Sequence, residues 1–272
     1  MQYYINHSLI SYNSFRINSI AKELWLPENL TELQTLLSQL KNKSFYILAN
    51  GTNVLLNKKI DRIVCLKLMP KDYYWQDNEL FVTANVSTNE LIKVIIDHNY
   101  GGVEGLLGIP GSVGAAIMGN SGSGVYSISD YLKEVCTINY KGEINTYSKK
   151  MLQFGRRYSI LQTKKEIIIG ASFKFTKIGI NQEEINKALE FRKNFPKGFG
   201  AGGWFKNWHD LKPYEAKIRK LKSKNLKVSK LLNVIVSNGK AQPREISHFI
   251  KRIQHIVKKP LKLEIKLMGL NL

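Results

Sequence analysis

Cysteine is nearly absent: Cys65 and Cys136 are the only two in 272 residues. They stand far apart, and no C-x-x-C pair or Cys/His cluster accompanies them, which excludes a disulfide framework, a redox pair and a zinc site as organising features. Two buried, reduced thiols and no bound metal are expected. Long apolar runs are missing as well. None approaches the ~18 residues of a membrane span, and the opening Met1-Gln2-Tyr3-Tyr4-Ile5-Asn6-His7 lacks the basic start and apolar core of a secretory signal. The chain therefore reads as cytoplasmic, without membrane insertion. Acid is the third scarcity, with 21 Asp and Glu against 41 Lys and Arg, a formal charge of +20. That balance suits nucleic acid, a membrane surface or a small anionic substrate and does not choose among them.

The excess is spread along the chain, with one dense stretch at Lys217, Arg219, Lys220, Lys222, Lys224, Lys227 and Lys230. A solvated face accounts for it more simply than nucleic-acid binding, because no helix-turn-helix or paired aromatic strand motif accompanies it. No nucleic-acid partner is expected. The remaining composition, 43% hydrophobic and 23% charged, is ordinary for a globular chain with one large domain or two smaller ones.

Periodicity supplies the elements. Leu30, Leu33, Leu36, Leu37 and Leu40 recur at helical spacing, and Phe45 to Ala49 reads as a buried strand after them. Arg62 to Leu68 and Leu80 to Ala84 read as further strands, and Ser87-x-x-Glu90 is a capping box that opens a helix through Ile96. Lys141-Gly142 joins Glu134–Tyr140 and Ile144–Tyr147 as a hairpin, and Ile167 to Phe175 is another strand. Near Gly179 the character changes to a polar helix, Glu183 to Lys193, and a domain boundary is expected there. Pro243 starts a helix whose Ile246, Phe249, Ile250, Ile253 and Val257 share one face, and Pro260 stops it before a strand from Leu261 to Leu267. His248 and His255 lie off that face and do not read as metal ligands.

Two glycine-rich stretches remain. The first is Asn50-Gly51-Thr52-Asn53-Val54-Leu55; the second is Gly108-Ile109-Pro110-Gly111-Ser112-Val113-Gly114-Ala115-Ala116, followed by Asn120-Ser121-Gly122. Glycine lets backbone N–H groups approach an anion that a Cβ would hold off. The pair therefore points to a pyrophosphate clamp for a dinucleotide-type cofactor. Neither stretch is a G-x-G-x-x-G between strand and helix, which disfavours a nicotinamide-only Rossmann enzyme. For any one glycine, a tight turn is the simpler account; two clusters in one half shift the balance toward a ligand.

These residues resemble the UDP-N-acetylenolpyruvoylglucosamine reductases, the MurB family, nearly end to end. Asn6-His7-Ser8-Leu9 with Tyr12-Asn13-Ser14-Phe15 is similar to the family's N-x-S-L and Y-N-T-F. Asn50 to Asn53 stands where the family has G-x-G-S-N, and Gly105 to Gly122 resembles its I-P-G-x-V-G loop with N-x-G. Arg156-Arg157-Tyr158-Ser159 matches Y-R-x-S, Ala201 to Asn207 matches A-G-S-x-F-K-N, and Leu261 to Ile265 matches L-x-x-E-V. The short spacing from Lys174 to Asn186 marks the shorter subtype.

The resemblance implies an α+β fold. An FAD-binding domain of the MurB/vanillyl-alcohol-oxidase type would occupy residues 1–179 as two lobes, roughly 1–69 and 70–179, with a C-terminal substrate domain over 180–272. It implies FAD as cofactor, NADPH as hydride donor, a UDP-sugar substrate and a monomer. Reduction of the substrate's enolpyruvyl double bond leaves enolate-like charge beside a carboxylate. The resemblance gives Arg157 that charge, a role that suits an always-protonated bidentate guanidinium. It gives Glu264 the other side of the same carboxylate, and it gives Ser159, Lys206 and Asn207 substrate polar groups. The family's proton-donating serine corresponds to Gly203, which has no side chain to donate from. Arg156 replaces a tyrosine, Ser237 an asparagine and Leu231 a histidine, while Trp208 to Val228 lacks the family's A-G-x-L-I segment. Two readings follow: an active reductase, or a flavoprotein of this fold that is inactive or acts on another ligand.

Overall fold

A computed structural model describes residues 1–41 and 43–270. The chain divides into two compact units: the first takes residues 1–2, 25–49 and 64–195, and the second takes 3–24, 50–63 and 196–272. Each is built from both helices and strands, so the fold is α+β.

The first unit is organised by a five-stranded sheet. Its antiparallel neighbours run in the order Ile144–Ser148, Leu132–Asn139, Glu166–Lys174, Glu79–Thr83, Tyr73–Gln76. Alternation decides its faces: Val135, Ala171 and Val82 stand in register and are buried, whereas Glu134, Ser172 and Phe81 stand in register on the opposite face. Four helices belong to this unit: α1 (Leu30–Gln39), α2 (Thr88–Asp97), α3 (Val113–Gly119) and α4 (Gln182–Lys193). The side chain of Asn29 caps α1 by accepting from the Glu32 amide, and Leu33, Leu36 and Leu37 of that helix are fully buried. Ser87 caps α2 in the same way through Glu90, as the capping box predicts.

Helix α3 is a departure from the sequence reading, which treats Gly108 to Gly122 as loop. Its turn is nucleated by the Ser112 hydroxyl, which accepts from the Ala115 amide. It ends at Asn120, which adopts the left-handed conformation with φ 45°. A stretch of glycine and alanine with few large apolar residues carries little periodic signal, so the helix is hidden from pattern reading. Helix α4 is held to this unit by the Nε of Arg192, which donates to the Leu107 carbonyl at 3.1 Å, and by the Asn181 amide, which donates to the buried Glu104 carboxylate at 2.8 Å. The division at residue 179 assigns α4 to a C-terminal domain; the compact units group it with what precedes it.

Strands Gln2–Ser8, Ile20–Leu26 and Lys59–Cys65, most of whose residues belong to the second unit, lie side by side. Strand Val54–Leu56 pairs in parallel with Lys266–Met268, and Leu226–Val228 pairs antiparallel with Ile235–Ser237. Helices α5 (Glu215–Arg219) and α6 (Pro243–Val257) complete it. Ile246, Phe249, Ile250, Ile253 and Val257 of α6 pack in one core with Phe15, Trp204, Phe205 and Leu55. Burial of each such side chain stabilises by about 1.5–3 kcal/mol relative to exposure. The strand expected from Leu261 to Leu267 is shorter: Leu263 makes a single bridge to Phe205, and the ladder begins only at Lys266. Alternation marks the two faces of an extended segment without saying which residues find a partner.

Candidate functional site

The predicted site residues fall into two groups, one in each unit. In the first unit, the Arg156-Arg157 pair forms the tip of a tight turn closed by two hydrogen bonds between Gly155 and Tyr158, both 3.1 Å. Arg157 has φ 54°, a left-handed conformation that costs a non-glycine residue about 1–2 kcal/mol. Several contacts over-determine it. Its guanidinium donates to the Gly122 carbonyl at 2.7 Å and to the Asn120 carbonyl at 3.4 Å. Asn120 Nδ2 donates to the Gly155 carbonyl, Ser159 Oγ donates to the Met118 carbonyl, and Gln162 Nε2 bridges the Met118 and Arg157 carbonyls. Arg157, Ser159, Asn120 and Gly122 thus form one constellation at the C-terminal end of α3. Gly122 is needed for it, because a Cβ there would meet the Tyr126 carbonyl and lie 3.3 Å from the Arg157 guanidinium. Ser159 is fully buried with its hydroxyl proton committed to Met118, so its evident work is to fix the arginine turn.

The second glycine loop is only partly bare. The amides of Val113 and Gly114 donate to the Val86 and Ala84 carbonyls, both at 2.9 Å, so of the run from Gly111 to Gly114 only Gly111 and Ser112 keep unpaired amides among the described residues. Gly114 has a packing role instead: a Cβ there would lie 2.8 Å from the Ala84 Cβ. Two of the four amides are therefore spent within the fold and are not open to a ligand. Ala115 and Ala116 bond back to Ser112 within the helix start. Gly108 has φ 71° and stands against the Arg192 side chain, with Ile109 and Pro110 leading on to Gly111. Burial lowers the pKa of that arginine from its ordinary value.

In the second unit the first glycine loop lies against Glu264. Asn53 Nδ2 donates to the Glu264 carbonyl at 3.0 Å, and the Lys266 amide donates to the Asn53 carbonyl. Gly51 has φ 64°, and an added Cβ would collide with the Tyr12 carbonyl, so the turn demands glycine on two counts. Among the described residues the amides of Gly51, Thr52 and Asn53 have no hydrogen-bond partner. Three successive free N–H groups after a positive-φ residue are the makings of an anion-binding nest. Asn50 precedes the nest, and Val54 and Leu55 continue it into the buried strand.

Glu264 stands beside Gly203, where a Cβ would lie 3.5 Å from Oε2 of the carboxylate and 2.9 Å from Asn233 Nδ2. The Glu264 amide donates to the Trp204 carbonyl. Asn233 is a site residue that pattern reading misses. Its Oδ1 accepts from the Phe205 amide at 2.9 Å and its Nδ2 donates to the Phe205 carbonyl at 3.0 Å, so the amide sits in the space a side chain at 203 would need. Nothing in the sequence signals it, since its neighbours Leu232 and Val234 are apolar. Asn207 Nδ2 donates to Asp210 and to the Pro260 carbonyl while Oδ1 accepts from the Lys262 amide, which leaves no amide hydrogen for a ligand. The Lys206 amide donates to the Lys262 carbonyl. Lys266 is exposed as a residue, but burial around its ammonium and, second, the like charge of Lys206 hold its pKa below the ordinary lysine range.

At each glycine stretch, taken by itself, free amides suit an anionic group such as a diphosphate oxygen. Asn53 Oδ1 and Asn120 Oδ1, one at each stretch, are buried acceptors without a partner and suit a ligand hydroxyl or N–H. No group of three or more His, Cys, Asp or Glu able to hold a metal occurs among the described residues, and none of their helices is long and apolar enough to cross a membrane.

Comparison with known proteins gives this geometry a context. Residues 21–148 match the family model described as an FAD binding domain. The chain is 30% identical to the UDP-N-acetylenolpyruvoylglucosamine reductase of Caldanaerobacter subterraneus subsp. tengcongensis over 98% of its own length and 93% of that protein. It is 31% identical to the enzyme of the same name from Chlamydia felis, covering 93% of this chain and 88% of that one. Among solved structures, the UDP-N-acetylenolpyruvylglucosamine reductase (MurB) of Thermus caldophilus superposes with a TM-score of 0.80 at 25% identity, covering 98% of both chains. The α+β fold is therefore of the FAD-binding type.

Proposed function

Because the chain belongs to the UDP-N-acetylenolpyruvoylglucosamine reductase family, we propose that this FAD-dependent oxidoreductase uses NADPH to reduce UDP-N-acetylglucosamine enolpyruvate to UDP-N-acetylmuramate. It does so in the cytoplasm, as a monomer, during peptidoglycan precursor synthesis. When bound, FAD supplies hydride transfer between NADPH and the enolpyruvyl double bond. The protein's part is to hold the cofactor's diphosphate and to manage charge and proton on the substrate. The free amides of Gly51, Thr52, Asn53, Gly111 and Ser112 and the Asn53 and Asn120 carboxamides are assigned to the cofactor.

Arg157 is assigned to the substrate carboxylate and to the enolate charge that develops beside it. The observation that carries this reading is the strained arginine turn: a left-handed, non-glycine residue whose own carbonyl accepts from Gln162, with Asn120 bonded to the adjoining Gly155 carbonyl and Ser159 to the Met118 carbonyl, is an orientation maintained at a cost. Preorganised donors aimed at developing charge contribute about 10²–10³ in rate. Glu264, beside Gly203, is assigned to the proton side of the reaction directly, because the Asn233 amide fills the space above the glycine Cα. Lys206 is assigned to substrate polar groups. Asn207 and Ser159 become positioning residues.

The test is steady-state NADPH oxidation that depends on the enolpyruvyl substrate; oxidation that ignores it, or none at all, counts against the proposal. Gly203 and the Asn233 amide beside it favour one alternative, a flavoprotein that binds FAD and has lost the second half-reaction. Anaerobic reduction by NADPH followed by addition of the enolpyruvyl substrate separates the two. Bleached flavin that stays reduced supports the alternative, and prompt reoxidation supports the reductase.

A further inference from the structure

Counted by segment, the positive charge is not spread along the chain, as the sequence reading has it, but concentrated. Residues 196–272 carry fifteen lysines and three arginines against four carboxylates, a surplus of fourteen out of the chain's +20. Within that segment the four acids add little compensation on the surface: Glu215 pairs with Arg219 at 2.7 Å, Asp210 lies 3.9 Å from Lys259, and Glu264 belongs to the candidate site. Glu245 is turned inward, where its carboxylate accepts from Ser223 and from the amide and side chain of Asn225.

Helix α6 shows where the charge goes. Its apolar face is spent in the core, and its exposed positions are Arg244, His248, Lys251 and His255, spaced along one side and free of acid. The lysine-rich stretch is tied to the same helix. Arg252 Nη1 donates to the Lys222 carbonyl at 2.9 Å, and Glu245 grips Ser223 and Asn225. Exposed Lys222, Lys224 and Lys227 therefore continue the basic side of α6 into one surface.

We infer that this surface, formed by α6 and the segment from Lys217 to Lys230, docks the protein on an anionic phospholipid bilayer. Three observations favour lipid over nucleic acid. Lysine outnumbers arginine fifteen to three over residues 196–272, which supplies mainly compact point charges rather than the bidentate forks that read bases and grip phosphate in a fixed geometry. Among its described residues Phe199 is the one exposed large apolar side chain, so no aromatic platform for stacking bases is offered. A plane of lipid phosphates asks for nothing beyond charge. With the apolar face of α6 already buried, docking is peripheral and electrostatic, and it must fall away as salt shortens the Debye length.

The experiment is co-sedimentation of the full FAD-loaded chain with vesicles of phosphatidylcholine containing 30% phosphatidylglycerol, beside vesicles of phosphatidylcholine alone. Binding at least tenfold stronger to the anionic vesicles at low salt, and lost by about 0.3 M NaCl, is expected. K224E/K227E/K251E should lower the partition coefficient more than tenfold while flavin absorbance and melting temperature stay unchanged. K93E/K141E/K150E, which reverses three exposed lysines of the first unit, should bind as the parent does. Equal binding to both vesicle types overturns the inference. So does an equal loss in the two triple variants, which would make net charge the cause. Displacement from vesicles by transfer RNA at an equal phosphate concentration assigns the surface to nucleic acid instead.

Discussion

Replacing Gly203 with alanine should destabilise the protein through Asn233, and the size of the effect can be worked out. An added Cβ would stand 2.9 Å from Asn233 Nδ2, inside ordinary contact distance, so the amide must move. That amide is the far end of a short side chain, but it is held by hydrogen bonds to both the N–H and the C=O of Phe205, a fully buried residue. Moving it weakens two bonds worth about 1 kcal/mol each and leaves buried backbone groups under-satisfied. Gly203 does not have a positive φ, so alanine itself is tolerated there and recovers roughly 0.4–1 kcal/mol through the unfolded chain. The net expectation for G203A is a loss of about 1–2 kcal/mol, and for N233A a loss of about 2–3 kcal/mol. In the N233A background the clash is gone, so G203A should be neutral or slightly stabilising. The double-mutant cycle therefore predicts a coupling of about 1.5–2 kcal/mol, measured by urea denaturation of all four proteins. Additivity within about 0.3 kcal/mol would refute the reasoning, because it would mean that the amide does not occupy the space above the glycine. The same contact bears on catalysis. Serine at 203 needs the same Cβ position, so G203S should cost as much stability as G203A, and a gain in turnover must be read against that loss.

Other consequences can be checked separately. R157K keeps the charge but loses the planar fork and its bonds to the Gly122 and Asn120 carbonyls, and should reduce kcat/KM by at least about 100-fold together with a lower melting temperature; an active R157K enzyme would remove the arginine from its assigned role. G51A places a Cβ on the Tyr12 carbonyl at positive φ, and should both lower the melting temperature and weaken flavin retention, read from absorbance after gel filtration. S87A removes the α2 cap and should cost about 1 kcal/mol in chemical denaturation without affecting flavin. Lys266 has a folded-state pKa below its unfolded value, so the unfolded chain binds more protons in the window between the two, and stability must rise with pH there up to the ordinary lysine range. K266M should be more stable than the parent at pH 7 and should lack that rise, as urea midpoints at pH 7 and pH 9.5 would show; parallel pH profiles would contradict the lowered pKa.

Helices α1, α2 and α6 were legible because each advertises an apolar stripe, joined in α2 and α6 by a start signal, the Ser87 box and Pro243. The central strands were legible from alternation. Helix α3 was not, since seven residues of mostly small side chains bury little and its stability comes from packing on the strand segment at Ala84. The site followed the same division. Glycines at 51 and 122 could be singled out as residues that backbone approach requires, and structure gives the steric reason for each. Which amides remain free could not be read, because the commitment of Val113 and Gly114 to the Val86 and Ala84 carbonyls depends on a tertiary pairing. Asn233 is the plainest omission. A side-chain amide that mimics a strand partner for Phe205 leaves no periodic trace, and a lone asparagine among Leu231, Leu232, Val234, Ile235 and Val236 carries no mark of that role.

The anchoring of α4 sets a practical rule for anyone who wishes to prepare the first compact unit as a fragment. A chain cut after residue 179 would strip the Asn181 amide from the Glu104 carboxylate and the Arg192 side chain from the Leu107 carbonyl. A buried acid would be left with one fewer donor, and the flank of the second glycine loop would be opened to water. Any such fragment has to keep the helix through Lys193, even though in linear order that helix looks like the start of something else.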